Sequence, residues 1–457
     1  MSRSPRSVCP VCLRPIPAVH ETVGDETFLV KSCPEHGEFR VVVWRGEPSF
    51  SGWARPKVPS SPRTPFTSVE RGCPLDCGLC DAHRQHTCTA LLEVTWRCDL
   101  GCPVCFASSG RQAPSDPSLA ELGRLFDRVE LASGHCNIQL SGGEPTVRED
   151  LTDIIRLGKE KGFPFIQLNT NGLRLAHEPG FADRLAEAGL DSVFLQFDGT
   201  RDDIYETLRG RSLFNTKLKA LDALAAAGVG VILVPTLVPG VNDDDLGDIL
   251  RLAVERSPAV RGVHFQPVSY FGRYPKRPDD AERITLPEIM RGLEIQTGGM
   301  LKAADFSPPG CEHAFCSFHA NYVVTEEGGL TRLSSGGSCG CTPRPASEGA
   351  DAAKAFVKRQ WAAPDKRLPM AFDGAQAGTT SGDGEPADAL DAFIRRAATH
   401  TLAVSAMAFQ DCWTLDLERL KGCCIHEVSP DGRLIPFCAY NLTSMDGETL
   451  YRGKCHG

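Results

Sequence analysis

Thr95-Trp-Arg-Cys-Asp-Leu-Gly-Cys-Pro-Val-Cys-Phe106 decides how this chain is read. It places Cys98, Cys102 and Cys105 in a Cys-x3-Cys-x2-Cys loop directly after the apolar run Ala90 to Thr95, and the next cysteine is Cys136. A four-iron cluster normally takes four thiolates, so three in one tight loop leave an iron free for a small-molecule ligand. Working outward, Asn137-Ile-Gln-Leu-Ser-Gly-Gly-Glu-Pro-Thr146 reads as a short buried strand ending in Gly142, Gly143, Glu144 and Pro145. Glycines at such an end let the backbone approach a ligand closely. A zinc knuckle is the competing reading of Cys-x2-Cys, but it leaves the Gly-Gly-Glu-Pro strand end without a role.

The 457 residues leave room for two or three domains, and a hydrophobic content of 41% supports a sizeable core. A net charge of −9 and the lack of a Lys/Arg block argue against a nucleic-acid surface. Met1 leads to Cys9 without an apolar signal core, and no run has the length to span a bilayer, so a soluble, cytoplasmic protein is expected. The 20 cysteines sit in clustered spacings, which points to metal and cluster ligation rather than disulfides.

Four segments are expected. Residues 1–50 form a metal-knuckle module with Cys9, Cys12, Cys33 and His36 flanking a hairpin, a tetrahedral set suited to zinc or to a rubredoxin-like mononuclear iron. Residues 51–89 begin with a Pro/Ser-rich linker and continue into a second Cys-x3-Cys-x2-Cys loop. There Cys73, Cys77 and Cys80 are followed by Cys88, four thiolates that suit a saturated auxiliary cluster. Residues 90–285 alternate short β-rich runs with amphipathic helices. The strands are Ala90 to Thr95, Asn137 to Leu140, Phe165 to Asn169, Ser192 to Phe197, Val229 to Val234 and Gly262 to Pro267. Residues 286–457 carry Cys311, Cys316, Cys423, Cys424 and Cys438. Cys311 and Cys316 would join Cys438 and one of the vicinal pair around a further cluster, unless they are unligated core thiols. A Gly/Ser-rich excursion at about 340–390 opens on Cys339 and Cys341, a redox or methyl-accepting dithiol, a ligand donor, or an exposed pair without chemistry.

The cysteine triad, the aromatic Phe106 after it and the Gly-Gly-Glu-Pro turn together resemble the radical S-adenosylmethionine (SAM) superfamily. The N-terminal Cys-Pro-Val-Cys and Cys-Pro-Glu-His-Gly, the run Gly72 to Cys80 with His86-Thr-Cys88, and the closing Cys-Cys-Ile-His and Ile-Pro-Phe-Cys-Ala-Tyr-Asn segments resemble one branch of it. That branch holds tetraether lipid synthases, dihydropterin-methylating enzymes and, most similar here, the radical SAM (seleno)protein TrsS group. The resemblance implies an α/β fold, a partial (β/α)6 TIM-like barrel with its chemistry at the carboxyl ends of the strands. It implies a [4Fe-4S] cluster on Cys98, Cys102 and Cys105 whose free iron binds SAM, one or two auxiliary [4Fe-4S] clusters, and cofactor contacts from Phe106, Gly142, Gly143, Glu144 and Pro145. Asn169, Asn171, Gln196 and Asp198 are candidate ribose or adenine contacts by the same analogy, against ordinary Asn-Gly and Asp-Gly turn chemistry.

The function implied by the resemblance is reductive cleavage of SAM to a 5'-deoxyadenosyl radical, and with it radical methylation or carbon–carbon coupling of a small-molecule or lipid-like substrate. A flavodoxin- or ferredoxin-type reductant and room for a methyltransferase partner go with this reading; nucleic acid does not. Peptide maturation, with a precursor-peptide partner, is the alternative enzyme reading. A saturated iron–sulfur electron carrier is the non-enzymatic one, and the open triad disfavours it.

Overall fold

The computed structural model of the chain describes residues 5–110, 114–274, 276–333, 343–364 and 389–453. Cys339 and Cys341 lie outside the described residues. Strands β1 (Arg6–Val8), β2 (Pro15–Val23), β3 (Glu26–Cys33) and β4 (Gly37–Arg45) form an antiparallel meander, a fuller sheet than the single hairpin expected. It rests on the remainder of the protein through Ser7 Oγ to Leu415 O, Val42 N to Asp280 Oδ1, and the buried Lys31 Nζ to Cys412 O.

The main sheet is built from β5 (Thr89–Thr95), β6 (Asn137–Gly142), β7 (Ile166–Thr170), β8 (Ser192–Gln196), β9 (Gly230–Val234), the short β10 (Thr236–Leu237) and β11 (Val260–Pro267). Each of the six anticipated strands is present, and β5, β6, β7, β8, β9 and β11 run parallel in that spatial order. Helices return the chain between them. The first, Leu119–Ser133, starts at a Ser118/Glu121 capping box and buries Leu122, Phe126 and Val129, three to four residues apart, against the sheet.

The C-terminal half departs from the sequence reading. Among the described residues it makes no sheet of its own. Beside β11 come parallel β14 (Thr401–Met407), then antiparallel β12 (Ser317–Val324) and β13 (Leu330–Arg332). Beside β5, at the other edge, come β15 (Ile425–Val428) and β16 (Leu434–Pro436). Residues after 285 therefore extend both edges of one curved, TIM-like partial barrel.

The helix Ala346–Trp361 lies across the concave side, touching β6, β9, β11 and β14. Its end is pinned by Arg261, fully buried, which donates to Gln360 O, Thr399 O and Thr401 Oγ1 at 3.0, 2.6 and 2.7 Å. Gly230 makes room for it, since a Cβ there would stand 2.3 Å from Trp361 O. Between this helix and the strands runs a cavity of about 610 Å³.

Candidate active site

β5 delivers Thr95 to the rim of the barrel, and the end of β6 presses against the chain that follows it. Gly143 N donates to Thr95 O and Glu144 N to Arg97 O, both at 2.8 Å. Gly142 has φ +124°, and a Cβ there would lie 2.0 Å from Thr95 O; one on Gly143 would lie 2.2 Å from Arg97 O. No other residue type fits so close an approach of two backbones. The glycine pair thus sets the Gly-Gly-Glu-Pro turn against the start of the cysteine loop, and Cys98, Cys102, Cys105, Phe106, Gly142, Gly143 and Glu144 all line the cavity.

The loop is held from the far side by Arg273, which sequence reasoning passed over. Its backbone exchanges hydrogen bonds with Cys105 at 2.9 and 3.0 Å, and its guanidinium donates twice to Cys102 O at 3.1 and 2.9 Å. Gly272 before it is left-handed, and a Cβ there would meet Phe106 O at 2.5 Å. Arg273 follows the carboxyl end of β11, where barrels of this kind gather functional residues, so that position was the available signal. Burial pushes the Cys98 thiol up to about 12, so a metal bound there displaces a proton.

Glu144 is enclosed rather than free. One carboxylate oxygen accepts from Thr146 N, Thr146 Oγ1 and Thr170 Oγ1, and the other from Asn171 N at 2.6 Å, which ties β6 to β7; burial raises its pKa. Asn171 Nδ2 in turn donates to Asp99 Oδ1 at 2.7 Å, inside the cysteine loop. Below it Lys217 Nζ donates to Asn171 O at 2.5 Å and faces Gln196 Oε1 at 3.4 Å. Asp198 has both oxygens taken by Arg209 at 2.7 and 2.6 Å, and the side chain of that pair that reaches the cavity is Arg209. Asn169 and Gln196 line the cavity, whereas Pro145 is buried behind it. Asn169 Oδ1 is buried without a hydrogen-bond partner, an acceptor with nothing to accept. Beneath Phe106 the Arg452 guanidinium lies 5.7 Å from the ring centroid and pairs with Glu93 at 2.7 Å. Three thiols on one loop, a glycine cradle and an orphaned acceptor in one cavity suit an iron–sulfur cluster with a polar organic ligand beside it.

The remaining cysteines regroup relative to the sequence reading. Cys9, Cys12, Cys33 and His36 have their ligand atoms within 4.8 Å of one another, with His36 Nδ1 3.6 Å from Cys9 Sγ and 3.4 Å from Cys33 Sγ. Cys88 does not complete the Cys73, Cys77 and Cys80 set; its sulfur gathers with those of Cys311 and Cys424, again within 4.8 Å. The reason is topological: Cys88 and Cys424 immediately precede β5 and β15, which pair in parallel from Thr89 and Ile425 onward. Cys311 and Cys316 likewise separate, since Arg419 donates to Cys316 Sγ at 3.3 Å in the neighbourhood of Cys423 and Cys438. Of the vicinal pair, Cys424 therefore joins Cys88 and Cys311, and Cys423 does not.

Comparison with known proteins agrees with this geometry. Residues 92–253 match the radical SAM superfamily model, and residues 1–45 match an HMPTM N-terminal zinc ribbon domain. Over 96% of its length the chain is 33% identical to 94% of a 7,8-dihydro-6-hydroxymethylpterin dimethyltransferase of Methanocaldococcus jannaschii. The chain belongs to the radical SAM superfamily. It is also 27% identical, over 52% of its length and 78% of the relative, to a GTP 3',8-cyclase of Petrotoga mobilis. Among solved structures, SuiB of Streptococcus suis superposes on 47% of the chain and 46% of its own with a TM-score of 0.40 at 15% identity. As a radical SAM enzyme the protein uses a [4Fe-4S] cluster and SAM for radical alkylation, and it needs a reductant. Among the described residues no helix is long and apolar enough to cross a membrane.

Proposed function

We propose that this radical SAM enzyme methylates a dihydropterin-like heterocycle, with Cys98, Cys102 and Cys105 holding the open cluster. The observation that carries the reading is the placement of those three thiols and the Gly142-Gly143 cradle on one cavity, in a chain similar over nearly its whole length to a dihydropterin dimethyltransferase. Bound there, the cluster and SAM supply a 5'-deoxyadenosyl radical. The chain's own residues bind and orient: Gly142, Gly143 and the orphaned Asn169 Oδ1 offer backbone and acceptor contacts to the cofactor, Phe106 covers it, and Gln196 and Arg209 face it from β8 and the helix after that strand. Glu144, Asn171, Arg273 and Asp198 position these groups without needing to touch the cofactor themselves.

Cys9, Cys12, Cys33 and His36 hold zinc or a mononuclear iron in this proposal, and Cys73, Cys77 and Cys80, Cys88, Cys311 and Cys424, and Cys316, Cys423 and Cys438 are the thiolates of auxiliary clusters. A flavodoxin- or ferredoxin-type protein is the proposed electron donor. The test is anaerobic incubation of the reconstituted protein with dithionite, 6-hydroxymethyl-7,8-dihydropterin and SAM carrying a trideuterated methyl group. A mass gain on the pterin is expected together with 5'-deoxyadenosine from one SAM and S-adenosylhomocysteine from a second SAM that gives up its labelled methyl, all lost in Cys98→Ala. 5'-Deoxyadenosine without pterin labelling would keep the radical step and reject methylation of this pterin from SAM.

A further inference from the structure

Across β8, β9, β11, β14 and β12 the cavity is lined by a row whose members beyond Gln196, namely His264, Ser405 and His319, the cofactor does not explain. Gln196 on β8 pairs with Val234 on β9, and Leu233 pairs with Val263 on β11, so His264 stands beside Val234. His264 is in register with Ser405 on β14, and Ser405 with His319 on β12. All five side chains line the cavity, which makes one transverse row from the cofactor end to the far wall. With strands ~4.8 Å apart, His264 to His319 spans roughly 10 Å, the width of two fused rings.

The chemistry of the row is specific. His264 Nδ1 and Ser405 Oγ share a hydrogen bond at 2.9 Å, and the imidazole stacks on Phe194 with centroids 5.6 Å apart and planes at 28°. Trp361 closes that end, 5.0 Å from Phe194. Burial pushes His264 down to about 4 and lowers His319 as well, so both rings are neutral near pH 7; with Nδ1 bonded to Ser405, His264 offers Nε2, and His319 offers one donor and one acceptor. Asn321, two residues along β12, holds a buried Oδ1 without a partner. Buried polar groups are costly unless something answers them. An acyl chain would leave this row unanswered. A phosphorylated ligand would find a poor charge match: among the described lining residues the charged side chains are Arg209, Glu144 and Glu312, and Arg209 is already paired with Asp198.

We propose that His264, Ser405 and His319 form the ledge that hydrogen-bonds the edge of the substrate, a neutral, non-phosphorylated two-ring nitrogen heterocycle seated beside Phe194 and Trp361. The proposal rests on the methylation reading above and adds to it the subsite and the exclusion of phosphorylated and acyl-chain substrates.

Calorimetric binding to the reconstituted holoenzyme tests it without turnover, using 6-hydroxymethyl-7,8-dihydropterin, GTP and palmitate as probes on the natural protein and on His319→Leu, His319→Gln and Ser405→Ala. Iron content and unfolding midpoint serve as folding controls. Dihydropterin binding to the natural protein, weakened at least tenfold in His319→Leu and in Ser405→Ala and partly restored in His319→Gln, is the expected result. Equal dihydropterin affinity in all four proteins would overturn the ledge while leaving the methylation reading intact. Tighter binding of GTP or palmitate than of dihydropterin, or no dihydropterin binding, would overturn the ligand class. Dihydropterin that binds at the ledge but gains no methyl group would overturn the methylation reading alone.

Discussion

Two loops of this protein have the same Cys-x3-Cys-x2-Cys spacing and the same pattern of cysteine burial, but only one of them lines the cavity. The loop at Cys98, Cys102 and Cys105 opens on the cavity, with glycines pressed behind it and Asn169 unpaired nearby. The loop at Cys73, Cys77 and Cys80 does not line that cavity, although its cysteines are as buried as those of the other loop. Cys77 is buried among Ile435, Phe437 and Tyr451, and Asp76 Oδ2 accepts from the backbone of Glu70, Arg71 and Gly72. In the proposed reading the shared spacing holds a metal group in both loops, and the surroundings decide whether a substrate can reach it. The largest effect that tests this is catalytic. Cys98→Ala should reduce 5'-deoxyadenosine formation to background, whereas Cys77→Ala should keep it within about tenfold, ~1.4 kcal/mol of barrier, while lowering iron content. Equal loss in both variants would break the comparison.

A second test uses the glycines beside each loop. Gly142→Ala places a methyl 2.0 Å from Thr95 O at φ +124°, a clash between two backbones that no rotamer relieves. Gly72, beside the first loop, is also left-handed at φ +83°, but nothing lies within 4 Å of where its Cβ would stand. Urea unfolding should therefore show a loss of ~3 kcal/mol or more for Gly142→Ala and only about 1 kcal/mol for Gly72→Ala.

That asymmetry was legible in part. The triad, the Gly-Gly-Glu-Pro end and six parallel strands were all readable, because each is a local pattern: a spacing, a turn, an apolar run between amphipathic helices. The cysteine groupings were not. Cys88 meets Cys311 and Cys424 because β15 docks beside β5, and a parallel pairing between residues more than three hundred positions apart leaves no mark in either strand. The same holds for the His264, Ser405 and His319 row, which exists only because β14 and β12 add to the edge of the barrel at β11. Asp198 shows a subtler limit. Its position at the end of β8 was identified, but a side chain at a strand end can serve the site through a partner, here Arg209.

The floors beneath the two loops differ in charge, which gives a pH test. Under the open loop Lys217 is fully buried, and burial lowers it from 10.5 to about 8. Between those values the unfolded chain holds a proton that the folded chain has shed, so folding stability rises with pH across that window and falls as pH drops back through about 8. The slope is at most ~1.4 kcal/mol per pH unit. Urea midpoints from pH 7.5 to 9.5 should show this rise in the natural protein and a flatter profile in Lys217→Met. Identical slopes would mean that the lysine keeps its proton through its bond to Asn171 O.

The floor beneath the closed loop is held by a neutral phenol. Tyr451 Oη accepts from Cys77 N at 2.9 Å and donates to Pro74 O at 2.7 Å, so one hydroxyl closes the loop from the C-terminal side of the chain. Tyr451→Phe keeps the ring packed and removes only the hydroxyl, leaving a buried amide and a buried carbonyl without that partner. The expected cost is ~1–3 kcal/mol, read as a lower urea midpoint at unchanged slope. Because this loop does not line the cavity, SAM cleavage measured as 5'-deoxyadenosine should change less than stability does. A variant that keeps its stability but loses SAM cleavage would show that the two loops communicate, and would narrow the contrast between them to one of access alone.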